Sequence, residues 1–318
     1  QMDVVGIDVP CVDFLAHINR LPREADQGAR LLEYSWQGGG KVATALVALA
    51  RLGAKTGIVG VVGGCLYGQF CVDDFVRHGV DVSKLIIDED GETSLSLVLS
   101  ESQTCGRNII FHRGSVRNLS LEDLDRDYIT SGKYLHLAQA TPVTRQAAVW
   151  ARQAGNTVVF DADGFREEIQ EMLPLIDVFI GSEFYYRALF DDDNYEANCR
   201  KLMEEGPSIV VFTFGEEGCL GVDAQGFFNE PAFSVPVKDT TGAGDVYHGA
   251  FIYGLLQGWS ASKTARFANA VSAIKCTRIG GRAGIPTVSM VEKFMETGCT
   301  DFEELDERVK FYRKQGLP

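Results

Sequence analysis

Apolar positions follow two rhythms along this chain. Short runs rich in β-branched and aliphatic residues predict strands over Val4–Ile7, Thr56–Val62, Lys133–Ala138, Thr157–Asp161, Asp177–Ile180 and Ser208–Phe212. Between them, Val42–Leu52, Gly68–His78 and Pro142–Ala154 repeat apolar residues at helical spacing and stop at Gly53, Gly79 and Gly155. The third opens after Thr141 with proline in its first turn, so these helices carry N-terminal and C-terminal signals where a helix needs them. Apolar strand runs alternating with helices belong to βαβ units in a parallel sheet, and the chain reads as an α/β protein.

Two stretches break the alternation, Phe14–Trp36 and Thr93–His112. In the second, Thr93–Ser100 places Leu95, Leu97 and Leu99 on one side, and Arg107–His112 follows a polar turn, which predicts a hairpin with one apolar face. A hairpin is marginal alone, so the two stretches are expected to form one small sheet, a lid or contact surface; plain surface loops are the alternative. Its leucine face needs a cover, either a bound ligand beneath it or the same face of a second copy, and a homodimer joined through the lids is expected.

Composition narrows the partners. The 318 residues suit one large domain, and 30 Lys+Arg against 44 Asp+Glu leave a formal net charge of −14. That balance argues against nucleic acid, whose phosphates call for a basic face, so any phosphate ligand must be bound locally. No apolar stretch approaches the ~18 residues of a membrane span, and Gln1-Met2-Asp3 does not open a signal peptide, so a soluble cytoplasmic protein is expected. Cysteines 11, 65, 71, 105, 199, 219, 276 and 299 are scattered without a C-x-x-C pair, the usage of reduced thiols rather than a disulfide framework or zinc site.

The strongest chemical signal is Asp239-Thr-Thr-Gly-Ala-Gly-Asp-Val-Tyr-His-Gly-Ala-Phe251. Gly242, Ala243 and Gly244 precede a helical run, so free backbone N–H groups at a helix N-terminus favour an anion there. Asp245 stands inside that anion site, where a carboxylate would repel phosphate unless it accepts a proton from an attacking hydroxyl. Helix capping is the plainer reading of Asp245 taken alone.

Spacing tests the other nucleotide motifs. Gly38-Gly-Gly-Lys-Val-Ala-Thr44 superficially resembles a Walker A loop, but Val42 follows the lysine where Ser or Thr must reach Mg²⁺. Gly38-x-Gly40-x-x-Ala43 meets the dinucleotide fingerprint loosely, with no convincing strand before it and no acidic residue about twenty positions on. Three glycines before a helix instead suit close approach to a small ligand, with Lys41 at the rim. Thr213-Phe-Gly-Glu-Glu-Gly218 lies at the carboxyl end of a strand, the ligand crevice of an open α/β sheet, unless it merely turns a hairpin into Cys219–Val222. Asp13, soon after the first strand, could accept two adjacent hydroxyls. The five histidines lack metal-ligand spacing; His112 and His248 are placed to line a site, though each reads more simply as structural.

Together these motifs resemble the PfkB/ribokinase family of carbohydrate and nucleoside kinases along nearly the whole chain. Gly39–Gly53 is similar to the family's N-terminal signature and Asp239–Phe251 to its C-terminal one. The resemblance implies a ribokinase-like three-layer sandwich, a mostly parallel sheet with a small β-sheet lid at about 14–36 and 93–112, using ATP and Mg²⁺. It implies Asp245 as catalytic base, with Gly242, Ala243 and Gly244 as the anion hole. Asp13, Gly39 and Gly40 would hold the sugar, with Lys41, Thr44 and His112 nearby. Thr213, Gly215 and Gly218 would touch ATP, with Asn269 near the adenine. A monovalent cation, K⁺, would lie by Asp239, Thr241 and the Cys276–Gly284 loop and raise the rate.

The departures from the family pattern bear on substrate and metal. Relatives often carry Asn where Lys41 or Thr44 stands here, and Thr44 removes an amide that would bond sugar hydroxyls. Their Asn-x-x-Glu, which organises Mg²⁺ and phosphate, is here Ser182-Glu-Phe-Tyr185, so Ser182 and Glu183 are the nucleotide-side candidates. Gly106–His112 and Cys276–Pro286 look like ketohexokinases and sulfofructose kinases, so a ketose is the first expectation. A nucleoside, ribose or a sugar acid are the alternatives, and a non-catalytic protein keeping the fold is the rival from another class.

Overall fold

The computed structural model describes residues 1–104 and 106–314. Cys105 lies outside the described residues; every other cysteine is a free thiol. The strands are β1 (Val4–Ile7), β2 (Cys11–Ile18), β3 (Leu31–Gly39), β4 (Thr56–Gly63), β5 (Leu85–Asp88), β6 (Ser94–Glu101), β7 (Arg107–His112), β8 (Tyr134–Leu137), β9 (Thr157–Ala162), β10 (Val178–Ser182), β11 (Ile209–Thr213), β12 (Cys219–Asp223) and β13 (Gly226–Glu230). The helices are α1 (Lys41–Arg51), α2 (Leu66–His78), α3 (Arg126–Thr130), α4 (Pro142–Gln153), α5 (Glu167–Met172), α6 (Glu183–Leu189), α7 (Tyr195–Met203), α8 (Ala243–Leu256), α9 (Ala261–Lys275), α10 (Val288–Thr297) and α11 (Glu303–Lys314).

The main sheet runs β13-β12-β11-β10-β9-β8-β1-β4-β5. All six strands expected from the apolar runs lie in it and pair in parallel; β12 and β13 extend one edge antiparallel, as the Gly218 turn allows. Its residues alternate between two cores: Val4, Ile58, Val159, Ile180 and Val211 face one, and Val5, Val59, Val158, Phe179 and Val210 face the other. Helices α1, α2, α8, α9 and α10 cover the first core, and α4, α5, α6 and α7 the second. Period-two alternation inside an all-apolar strand thus produces three layers.

The two irregular stretches form a separate four-stranded sheet, β3-β2-β6-β7, with β2 and β6 parallel and the outer pairs antiparallel. It starts earlier and ends later than expected, because β2 begins at Cys11 and β3 runs to Gly39, directly before α1. A strand therefore does precede the glycines, but it belongs to the lid and not to the parallel sheet.

Register assigns the lid's faces. Asp13 pairs with Gln37 and Ser96, and Ser96 with Phe111, so these share the inner face. Val12 pairs with Gly38 and Leu95, and Leu95 with His112, so these share the other. Ser94, Ser96 and Val98 are the buried residues of β6, whereas Leu95, Leu97 and Leu99 are half-buried on the outer face. The leucines therefore do not cover the ligand beneath the lid, because a residue opposite Asp13 in parity points the other way.

One buried ion pair ties the lid's base to the rest. Arg282 is 1% exposed, and its Nη1 lies 2.6 Å from Asp74 of α2. The guanidinium also donates to the Gly39 carbonyl at 3.2 Å and the Thr44 hydroxyl at 3.3 Å, while Tyr312 of α11 donates to Asp74 at 2.7 Å. A methyl group at Gly38 would lie 2.1 Å from Arg282 Nη1, so only glycine fits there. Burial pushes the Asp74 carboxyl up, but Arg282, His78 and the Tyr312 hydroxyl outweigh it and hold it below the usual range.

Removing one partner leaves the other charge buried and unpaired, so Asp74→Ala is expected to cost about 3–5 kcal/mol, measured by urea unfolding at neutral pH. A depressed folded value means the contribution is complete above the unfolded carboxylate pKa near 3.9 and is lost as pH falls below it. The gap between wild type and variant should therefore be constant from about pH 5 upward and close only in stronger acid.

Candidate active site

Parallel strands bring their carboxyl ends to one edge, where a crevice opens. Asp8 follows β1, Asp161 closes β9 with Asp163 just beyond, Ser182 ends β10 and Thr213 ends β11. Helices α1 and α8 pack against each other over this sheet, with Lys41 and Ala243 as their first residues. Asp8 accepts from the Val9 and Ala43 amides, both at 2.8 Å, and so caps α1. Gly40, at φ 110°, adopts a conformation other residues rarely reach, and a methyl group there would lie 2.9 Å from Asp8 Oδ2.

The α8 N-terminus differs in detail from the expected anion hole. Ala243 N–H already donates to the Thr240 carbonyl at 3.1 Å, whereas the Gly242, Gly244 and Asp245 amides have no backbone acceptor among the described residues. The free donors thus flank Ala243 and extend to Asp245. Space around Gly244 is open: a methyl group there would meet nothing within 4 Å. His248 sits one turn below, its Nδ1 2.5 Å from the Gly244 carbonyl and its Nε2 3.4 Å from Asp161 Oδ1. The carbonyl only accepts, so Nδ1 carries a proton, and His248 ties the anion-binding turn to the sheet.

Acidic groups gather around one lysine. Lys41 Nζ lies 3.1 Å from Asp163, within the fields of Asp161 and Asp245. Burial pushes the Asp245 carboxyl well up, Asp161 adds to this, and Lys41 opposes it. Burial also lifts Asp8 and Asp13 to about 6 each. A carboxylate raised in this way takes a proton more readily than an exposed one, which suits Asp245 to accept it from a hydroxyl.

Asp13 and Gly39 face each other across β2 and β3: a methyl group at Gly39 would lie 2.6 Å from Asp13 Oδ1. Burial raises the Asp13 carboxyl, opposed chiefly by Arg282 and the Cys11 thiol and least by Arg107, which lies on the same face of β7 and forms no ion pair among the described residues. Thr44 is not with them; it is buried, with its hydroxyl accepting from Arg282 Nε. His112 is on the lid's outer face, away from Asp13.

On the other side of the crevice, Thr213 and Gly215 stand at the end of β11, and Glu183 is exposed at the start of α6. Ser182 is used locally: its hydroxyl caps α6 at Tyr185 and donates to the Asp163 carbonyl at 2.5 Å. Gly218 is glycine for its own turn, at φ 96° with a methyl group 2.2 Å from the Glu230 carbonyl. Asn269 is buried and donates to the carbonyls of Glu230 and Pro231, both at 3.1 Å, so its amide nitrogen is already engaged.

At the expected cation position the donors are taken. The Asp239 carboxylate accepts from Thr241 N at 2.9 Å, Thr241 Oγ1 at 2.7 Å and Gly280 N at 2.8 Å, and Lys275 Nζ lies 2.5 Å from the Asp239 carbonyl. Asp239 and Thr241 therefore do not fit a bound K⁺. Asp8, Asp161, Asp163 and Lys275 escape the motif reading, and Arg107 and Arg282 fall within its Gly106–His112 and Cys276–Pro286 segments without being singled out. Of these, only Asp8 and Asp161 carried a signal, as carboxylates at the ends of predicted strands.

Comparison with known proteins follows this geometry. Residues 6–288 match the pfkB family carbohydrate kinase description. The 5-dehydro-2-deoxygluconokinase of Geobacillus kaustophilus (strain HTA426) is 32% identical over 93% of this chain and 94% of its own length. That of Clostridium perfringens (strain 13 / Type A) is 29% identical over 84% of this chain and 86% of its own. Among solved structures, a putative ribokinase II of E. coli in complex with ATP and Mg²⁺ superposes with a TM-score of 0.81 at 22% identity, over 93% of this chain and 99% of that one. A ribokinase of Thermotoga maritima gives 0.79 at 25% identity, over 93% and 100%. The structural likenesses carry the three layers and the lid; the family match carries the chemistry, since it encloses every group from Asp8 to Arg282. The chain belongs to the pfkB family of carbohydrate kinases.

Proposed function

We propose that this ATP-dependent carbohydrate kinase phosphorylates the hydroxymethyl group of a sugar acid, of the 5-dehydro-2-deoxygluconate type named for its relatives. The sequence favoured a ketose, on likeness to ketohexokinases and sulfofructose kinases; the relatives' names fit the sugar-acid alternative instead. The observation that carries this reading is Arg107, an unpaired guanidinium on the inner face of the lid, on the same face as Asp13. A neutral ketose gives that cation nothing to bind, whereas a carboxylate accepts it in a charge-assisted bond.

In this reading Asp13 and the Gly39–Gly40 backbone hold the sugar hydroxyls, and Asp245 accepts the proton of the attacking hydroxymethyl group. The new O–P bond forms as the bond from γ-phosphorus to the β-phosphate oxygen breaks, leaving ADP. The free amides of Gly242, Gly244 and Asp245 would meet the phosphoryl oxygens, where charge grows. No three acidic, histidine or cysteine side chains among the described residues are grouped to hold a metal alone, which fits an ion carried on the nucleotide's phosphates. Asp163 and Glu183 would hold it through water, and the chemistry it would supply there is neutralisation of phosphate charge. The outer lid face, with Phe14 and Trp36 in ring contact at 4.5 Å beside Leu97 and Ile110, suits the same patch of a second copy.

Asp245→Asn should lower kcat by roughly 10²–10⁴ with ATP affinity nearly unchanged. Half or more of the wild-type kcat, under conditions where chemistry limits, would exclude Asp245 as the base. Arg107→Gln should raise KM for the sugar acid by roughly tenfold while leaving KM for fructose and for ATP in place; a wild type that prefers fructose to every sugar acid overturns the substrate assignment. Sedimentation at micromolar concentration is expected to show a dimer that Leu97→Asp converts to monomer, and a monomeric wild type sinks the lid pairing.

A further inference from the structure

Buried carbonyl oxygens that converge from separate segments need a positive charge between them, and that charge can be an ion or a side chain. Lys275, the last residue of α9, is wholly buried, with its ammonium 2.5 Å from the Asp239 carbonyl and 3.5 Å from the Arg278 carbonyl. Asp239 begins the segment that leads through Thr241 to the Gly242 cap of α8, and Arg278 lies in the loop packed beside it. A methyl group at Gly242 would come within 2.8 Å of Gly281, so the two segments touch just where the helix starts. The same two segments are those the family resemblance assigns to K⁺.

We propose that the Lys275 ammonium is a tethered replacement for that cation: it joins the Asp239–Gly242 segment to the 276–284 loop and so positions the α8 N-terminus without K⁺. An ammonium is a compact point charge with three donors, so it can meet several carbonyls as a monovalent ion does. Lys275 touches no reacting atom; it is a positioning residue acting through backbone. The inference rests on the phosphotransfer reading only for its rate measurement.

The test compares potassium chloride with tetramethylammonium chloride at equal ionic strength. Wild-type kcat should agree within about twofold between the two salts, and the melting temperature of the ligand-free protein should not respond to K⁺. Lys275→Ala opens room for an ion, so in tetramethylammonium its kcat should fall at least about tenfold with sugar KM little changed, and K⁺ should restore rate and raise its Tm. Lys275→Met fills the space without charge and should lose rate in both salts.

Activation of the wild type by K⁺ beyond about fivefold, a K⁺-dependent rise in its Tm, or full activity of Lys275→Ala in tetramethylammonium would each overturn the proposal. The two wild-type measurements decide the matter even if neither variant folds. The melting measurement needs no substrate, so a wrong sugar assignment leaves it standing.

Discussion

Lys41 stands among more negative charge than one ammonium can balance, and the catalytic edge is organised around that imbalance. Asp163 pairs with it directly, Asp161 and Asp245 share its field, and Asp8 holds the turn that presents it. Like charges in a partly buried crevice raise the cost of ionising each further group, and burial adds to that cost. The result is a base whose carboxylate form is expensive before the substrates arrive. Anion binding in such a place is left to groups whose charge cannot be titrated away: backbone amides at the start of α8 and cations brought in with the nucleotide.

The lid side of the crevice is built on a different physical basis. There the lid and the main body meet through Arg282, which reaches the Gly39 carbonyl from below while Asp13 and Arg107 lie on the lid's inner face. Ile109 and Phe111, on the same inner face, are exposed and leave apolar area there for a substrate to cover. Binding and water exclusion are thus linked through one small sheet, which matters for an enzyme that must transfer phosphoryl to sugar in preference to water.

What could be read from the chain was whatever depends on local periodicity or on a contiguous motif. The parallel strands, the helices bounded by Gly53, Gly79 and Gly155, and the Asp239–Phe251 turn all fall in that class. Errors arose where the third dimension decides. Leucines in β6 outnumber its other apolar residues, yet parity with Asp13 sends Ser96 inward and Leu97 outward. Thr44 sits on the right helix, but a side chain from 238 residues away occupies its hydroxyl. Lys275 and Arg282 resembled ordinary basic residues near a loop, because nothing in their neighbours announces that each ends buried against backbone carbonyls or a distant carboxylate.

The bond from Tyr312 to Asp74 spans 238 positions, and Arg282 reaches Asp74 across 208. Both converge beneath Gly38 and Gly39, which emerge early in synthesis. Contacts this distant in sequence close late, since loop entropy must be met before they contribute. The turn at Gly38 and Gly39 is therefore made well before the segments that hold it, first Arg282 and then α11, at roughly 5–20 residues per second of synthesis. Until then only Arg77 and His78 of its own helix stand beside Asp74, and the half-formed lid shows its apolar outer face. The nascent chain passes through an interval in which the Gly38–Gly39 turn is made but not yet held, and a chain cut short before α11 would lack the Tyr312 bond to Asp74.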